Sequence, residues 1–379
     1  MNRFALFGVS ALLHAYIGLR LVPDLGTWAP ANLLLLSWLV FSAALMPLSL
    51  MLRRAEAGAS GDALAWAGML CMGVFSSLFV LTVLRDAMLV AYISLQWLLP
   101  NLDWGNWQAD SALAVPLASF FISLVGFFNA RRTAPVVRVD VPIAGLPAGL
   151  HGFLIAQISD VHVGPTIKGP YVESIVGAVN RLGADMVAIT GDLVDGTVAQ
   201  LKAHVAPLAQ LKSRHGTFFV TGNHEYYSGA HAWVAELRRL GLNVLMNQHV
   251  VLEHGAGALA VAGVTDFGAG HFDPAQASSP QAAIAGAPGH AVKLLLAHQP
   301  RSAPAAAAAG FHLQLSGHTH GGQFLPWNFF VRFQQPFTAG LNRLHDLWVY
   351  TSRGTGYWGP PQRFGAPSEI TLLRLVPGA

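Results

Sequence analysis

Hydrophobic positions fall into two regimes along this chain. Up to residue 130 they run together in long blocks, and beyond it they come in short blocks broken by Gly, Pro, Asn and Asp. Four early blocks, 4–22, 32–52, 63–83 (with a continuation toward 97) and 111–130, reach the roughly 20 residues a helix needs to cross a bilayer. They are apolar on every face rather than along one stripe, which suits lipid better than a globular core. Arg3 is a weak basic start and no small-x-small site follows, so the first block reads as a span and not as a cleaved leader.

Beyond residue 131 the period shortens. Alternating or short buried apolar runs predict strands at 136–141, 153–158, 186–189, 217–221, 244–246, 259–264, 291–297 and 311–315. Helical spacing predicts helices at 171–182, 198–212 and 231–240. The expected organisation is a four-helix transmembrane bundle over 1–132, followed by a mixed α+β/α/β domain over 133–379.

Arg85-Asp86 interrupts the third block. If the piece 87–99 crossed on its own there would be five spans, and the second half of the chain would face outward. That piece is too short to span comfortably, and a paired Arg and Asp near an interface leaves four. Arg3, Arg53-Arg54 and Arg131-Arg132 then share one side, with Asp24, Asp103 and Asp110 on the other and Trp28, Trp97, Trp104 and Trp107 in an interfacial belt. The positive-inside tendency places both termini and everything after Arg131 in the cytoplasm, in an inner-membrane protein. His14, inside the first block, reads as a helix-packing or interfacial residue.

Composition adds little. The chain is 53% hydrophobic and 11% charged with mean hydropathy +0.46, but the apolar excess is local, and no lysine precedes Lys168. A net charge of +3, dispersed along the sequence, argues against a nucleic-acid groove. The one cysteine, Cys71, lies in an apolar block, so no intrachain disulfide forms.

The polar residues interrupting the second regime carry the chemistry. Asp160 and His162 stand in Ser-Asp-Val-His, Asp192 in Thr-Gly-Asp, Asn223 in Gly-Asn-His-Glu, His298 in Ala-His-Gln-Pro, and His318 and His320 in Gly-His-Thr-His. Each group follows a predicted strand end, where open α/β sheets gather their sites. Together they offer about the oxygen and nitrogen donors that two adjacent divalent ions need when one carboxylate is shared. Asp-x-His alone often caps a turn; two histidines one residue apart behind a glycine seldom serve packing, and the joint order points to one site. Mixed imidazole, carboxylate and amide donors suit Mn²⁺, Fe or Zn²⁺, with manganese the first expectation. The remaining histidines, His151, His204, His215, His231, His249, His254, His271, His290, His312 and His345, read as surface residues. No Gly-rich nucleotide loop and no Ser nucleophile elbow occurs.

Asp160-x-His162, Gly191-Asp192, Gly222-Asn223-His224-Glu225, His298 and Gly317-His318-x-His320 resemble the signature of the calcineurin-like metallophosphoesterase superfamily, over roughly 136–376. Gly321-Gly322-Gln323, Ser352-Arg353-Gly354-Thr355-Gly356, Pro360, Arg363 and Glu369 resemble its bacterial membrane-anchored branch, some of whose enzymes cleave the pyrophosphate of UDP-2,3-diacylglucosamine. The resemblance implies a β-sandwich flanked by helices and a dinuclear centre. Carried over, Asp160, His162 and His320 hold one ion, Asn223, His298 and His318 the other, and Asp192 bridges. His224 becomes the general acid, and Asp195 matches a position that orients it in related Ser/Thr phosphatases. Those enzymes carry Arg directly after that position, whereas Gly196-Thr197 stand here, which argues against a phosphoprotein substrate.

The expected function is therefore a membrane-bound, dinuclear-metal hydrolase of a phosphodiester or pyrophosphate bond on a lipid-linked substrate, with membrane lipid as its other partner. Two alternatives remain at this point: a phosphoesterase of soluble substrates merely tethered by its helices, and a non-catalytic scaffold or transporter, which the intact donor set opposes.

Overall fold

The structure, a computed structural model, describes residues 3–26, 29–52, 59–101, 103 and 105–378. The chain divides into two compact units, one of Met1–Asn129 with Phe324–Pro326 and Gly359–Phe364, the other of Ala130–Gln323, Trp327–Trp358 and Gly365–Ala379.

The first unit is built on helices α1 (Arg3–Leu21), α2 (Ala29–Leu52), α3 (Ala59–Leu98) and α4 (Trp107–Arg131). All four are long and apolar enough to cross a membrane. Ile17, Leu21, Leu39 and Leu78 are buried among them, while Phe4, Leu12, Leu34, Phe120 and Phe128 face outward, a surface suited to lipid. Arg85-Asp86 does not break the third helix, which runs on through both residues. Nor do the two pair chiefly with each other. Arg85 is held by Asp24, the Ser111 hydroxyl at 2.9 Å and the Arg20 carbonyl at 2.9 Å, while Asp86 takes Arg20 Nε at 2.8 Å and the Tyr16 hydroxyl at 2.7 Å. Buried charges need such partners. His14 is a packing residue: its ring stacks on Phe75, Nδ1–H donates to the Ser10 carbonyl at 2.7 Å, and Nε2 meets Ser42 Oγ at 3.0 Å. Arg53, Arg54, Trp28 and Trp104, used above for orientation and belt, lie outside the described residues.

The second unit holds two six-stranded sheets. Strands β1 (Val136–Ala144), β2 (Leu154–Ile158), β3 (Met186–Ile189), β4 (Thr217–Phe219) and β5 (Asn243–Val244) form one with a late strand, β12 (Ile370–Gly378), in the order β1-β12-β2-β3-β4-β5. Strands β6 (Gln248–His254), β7 (Gly257–Gly263), β8 (Val292–Leu296), β9 (Leu313–Ser316), β10 (Gly340–Leu344) and β11 (Leu347–Thr351) form the other, in the order β10-β11-β9-β8-β7-β6. From β2 to β5 and from β7 to β9 the strands run parallel.

Period-two burial explains why these strands read as unbroken apolar runs. Ile155, Met186, Ala188, Leu294 and Leu296 point into the core between the sheets. Their neighbours Ala156, Ile158, Val187 and Ile189 face an outer core with helices α5 (Gly169–Asn180), α6 (Val198–Val205) and α8 (Ala230–Arg239). Leu295 and Ala297 face another with α9 (Pro280–Ile284) and α10 (Ala303–Ala308). Both faces of each sheet are covered, so neither needs a polar side.

Differences from the expectation have local causes. The helix expected over 198–212 ends at Val205, with a 3₁₀ turn over Ala206–Gln210, where Pro207 lacks the N–H that the next α-helical bond would need. Strands β6, β10, β11 and β12 were not expected at all. Two of them, β6 and β10, carry exposed and half-buried polar residues, such as Gln248, Glu253 and Arg343, that blur the apolar signal.

Candidate metal centre

Five loops leave the C-terminal ends of strands with the expected donors: β2 leads into Asp160, β3 into Asp192, β4 into Asn223, β8 into His298 and β9 into His318. Asn223 opens the short helix α7 (Asn223–Ser228). Three of the strands lie in one sheet and two in the other, so the site forms where both rims meet over the shared core.

The backbone at this rim is strained. Among the described residues, eight non-glycines have positive φ, and five are expected donors: Asp160 (54°), His162 (55°), Asp192 (51°), His318 (70°) and His320 (51°). Each such residue costs on the order of 1–3 kcal/mol and persists only where its surroundings over-determine it. Here they do. Asp160 N–H donates to the Gly191 carbonyl at 3.0 Å, His162 N–H to the Asp192 carbonyl at 3.1 Å, and His318 N–H to Asp160 Oδ1 at 2.9 Å. The motif glycines serve closeness: a Cβ on Gly222 would collide with Asp192, and one on Gly317 with Ser159 and Asp160.

Asp192 is the hub. Its Oδ2 lies 3.1 Å from His298 Nε2, 3.9 Å from His162 Nε2 and 4.0 Å from His224 Nε2, while Oδ1 accepts the His224 backbone N–H at 2.8 Å. Two pairs of ring nitrogens confront each other, His162 Nε2 with His320 Nε2 at 3.0 Å and His298 Nε2 with His318 Nδ1 at 3.1 Å. His320 Nε2 also stands 3.5 Å from Asp160 Oδ1. Asn223 Oδ1 is buried and, among the described residues, has no hydrogen-bond partner. In three groups (Asp160, His162 and His320; His162, Asp192 and His224; Asp192, His298 and His318) the ligand atoms lie within 4.8 Å of one another. Facing lone pairs and an orphaned amide oxygen are a donor set that divalent cations fit.

Second contacts aim these donors. Asp195 Oδ1 accepts Nδ1–H from His224 at 2.5 Å and from His162 at 3.1 Å, which turns both Nε2 atoms toward Asp192. His298 Nδ1–H donates to the Thr190 carbonyl at 2.8 Å, leaving its Nε2 for the centre. Expected residues Asp160, His162, Asp192, Asp195, Asn223, His224, His298, His318 and His320 thus all fall in one cluster.

The charges follow the geometry. Burial alone would lower His298, but the Asp192 carboxylate against it holds it well above the usual imidazole range. Burial and the charge on His298 push His318 down to about 3. His224 is pulled down by burial and, more strongly, up by Asp192 and Asp195, to about 9. Against the cost of burial, the imidazoles keep Asp192 and Asp195 well below the carboxylate range.

Glu225 was given no role in the sequence reading. Fully buried, it accepts the backbone N–H groups of Asp192 at 3.0 Å, Leu193 at 2.8 Å and Gly222 at 2.6 Å, tying the loops after β3 and β4 together. Its signal was legible: an acid three residues after an N-cap glycine has the spacing of a capping box.

A family model described as calcineurin-like phosphoesterase matches residues 153–322, which include every donor above. A Bos taurus protein described as transmembrane protein with metallophosphoesterase domain is 36% identical over 322 residues, covering 80% of this chain and 72% of its own length. The chain belongs to the calcineurin-like metallophosphoesterases. An uncharacterized metallophosphoesterase of Helicobacter pylori is 40% identical over 268 residues, 68% of this chain and 70% of that one. A Danio rerio protein with the same description as the bovine one is 36% identical over 67% of this chain, which spans 60% of that relative. The metallophosphoesterase family is a dinuclear, metal-dependent one, and this member is a metal-dependent phosphoester hydrolase associated with membrane.

Proposed function

We propose that residues 133–379 form the catalytic domain and 1–132 a transmembrane domain, and that the protein hydrolyses a phosphodiester or pyrophosphate bond on an amphiphilic, lipid-linked substrate. In this reading Asp160, His162 and His320 hold one cation, Asn223, His298 and His318 the second, and Asp192 both, with manganese first among Mn²⁺, Fe and Zn²⁺. Paired cations at such donors lower the pKa of a shared water toward neutrality and offset charge on phosphoryl oxygens. The chain's residues do the rest. Asp195 holds the His224 ring by Nδ1, so the proton for the leaving oxygen resides on Nε2. Burial disfavours the charged ring, while the Asp192 charge and the Asp195 carboxylate bonded to Nδ1 favour it. Glu225 and the Gly191–Asp160 backbone bond keep Asp192 and Asp160 at fixed separation through the reaction.

The observation that carries the reading is the convergence of His162, His224 and His298 on Asp192 Oδ2, in a chain whose described residues also include four candidate spans. Arg3 and Arg131-Arg132 on one side of four spans favour the inner membrane with the catalytic domain in the cytoplasm. The test is a substrate panel for the full-length protein in detergent with added Mn²⁺: lipid-linked pyrophosphates, phosphodiesters and phosphomonoesters against soluble nucleotides. Higher kcat/KM on the lipid-linked diesters or anhydrides is expected. Equal rates on soluble nucleotides would leave the helices as a tether only.

A further inference from the structure

We propose that the segment 327–333 is a second membrane contact, seating its aromatic rings at the acyl–headgroup boundary of a phospholipid bilayer and holding the His318–His320 loop there. Three phenylalanines within five residues are exposed, Phe329 at 53%, Phe330 at 52% and Phe333 at 74%. Beside them the Arg332 guanidinium stands 5.3 Å from the Phe333 ring centre. Large apolar rings are costly to leave in water in such density, and rings with a neighbouring cation match the interfacial zone of a bilayer, with the cation toward anionic headgroups.

Chain continuity says what covers the patch. Phe324–Pro326, just before it, belong to the unit of membrane helices, where the Ser76 hydroxyl of α3 donates to the Leu325 carbonyl. Phe329 follows Pro326 by three residues, a reach of about 10 Å at full extension, and Phe333 by seven, about 25 Å. The rings therefore cannot lie farther than that from a segment held among candidate spans. The first turn of the segment is tied to the site. Asn328 packs on Gly322 so closely that a Cβ there would strike its backbone, and Gly322 N–H donates to the Thr319 carbonyl at 2.8 Å, inside the ligand loop. Buried Val331 anchors the face opposite the exposed rings. This inference concerns lipid contact and stands whether or not the substrate is a lipid.

The full-length chain carrying Cys71→Ser, reconstituted in nanodiscs of phosphatidylcholine and phosphatidylglycerol, tests it. Nitroxides are placed singly by Phe329→Cys and Phe333→Cys, with Lys212→Cys, exposed ahead of β4, as the aqueous reference. Collision rates with oxygen, which concentrates in lipid, and with a water-soluble nickel chelate are compared by electron paramagnetic resonance. An oxygen-to-nickel ratio severalfold above that of position 212 at either site is expected. A ratio equal to the reference at both sites overturns the proposal, and so does poor access to both reagents, as a protein cover would give.

Discussion

His224 packs edge-on against the His162 ring at 4.6 Å and meets Asp192 and Asp195, yet it is not one of the expected ligands, and this sets its prediction. His224→Ala removes the proton source while leaving the expected ligands in place, so turnover should fall by about 10²–10⁴-fold. Metal content, read by elemental analysis, should stay at the wild-type value. Unchanged turnover would take His224 out of the reaction. A second residue-scale prediction lies away from the site. His312 reads as a surface residue from sequence, yet it is half-buried, and its Nδ1 accepts the Lys293 backbone N–H at 2.9 Å. Burial first, then the Lys293 charge, lower its pKa below the ordinary imidazole value. The fold thus favours neutral His312. Its contribution is present above about pH 6.5, the unfolded value, and is lost as pH falls toward the lower folded one. Thermal unfolding midpoints between pH 7 and 5.5 should therefore fall less in His312→Asn than in the wild type; parallel curves would refute the linkage.

Loops between elements do more here than the elements themselves. The strand ends were readable because an apolar run that stops at Asp160, Asp192 or His298 marks both the strand and the donor. The left-handed backbone at five donors was not readable, since it arises from bonds between loops far apart in sequence, such as His318 N–H to Asp160. Strand β12 was missed for a similar reason: it pairs in parallel with β1 and antiparallel to β2, across more than half of the chain. Tertiary pairing defines it. Gly222 tests how tightly the loops are joined. In Gly222→Ala the new methyl meets both the Asp192 carboxylate and its backbone nitrogen, so one of them must move. A loss of about 1–3 kcal/mol in stability is expected by denaturant titration. Weaker metal retention on dialysis should accompany it, and wild-type values in both would show that the loops tolerate separation.

At the scale of the molecule, four apolar helices and a mixed strand-and-helix domain were legible from hydrophobic period, whereas the two-sheet arrangement was implied only by the resemblance that the donor motifs carry. Where lipid is the solvent no polar face appears, and where two sheets are covered on both sides the strands lose their alternation. The Arg85-Asp86 ambiguity dissolved only in three dimensions, because the groups satisfying those charges sit on α1, α4 and the turn after α1. What the whole chain has to deliver is one place where both sheets' rims bring carboxylate, amide and imidazole together around Asp192. Elemental analysis of purified full-length protein after Mn²⁺ loading and exhaustive dialysis measures that most directly. Two metal ions per chain, falling below two in Asp192→Asn, is the predicted result; one ion or none in the wild type, or full occupancy in the variant, would contradict it.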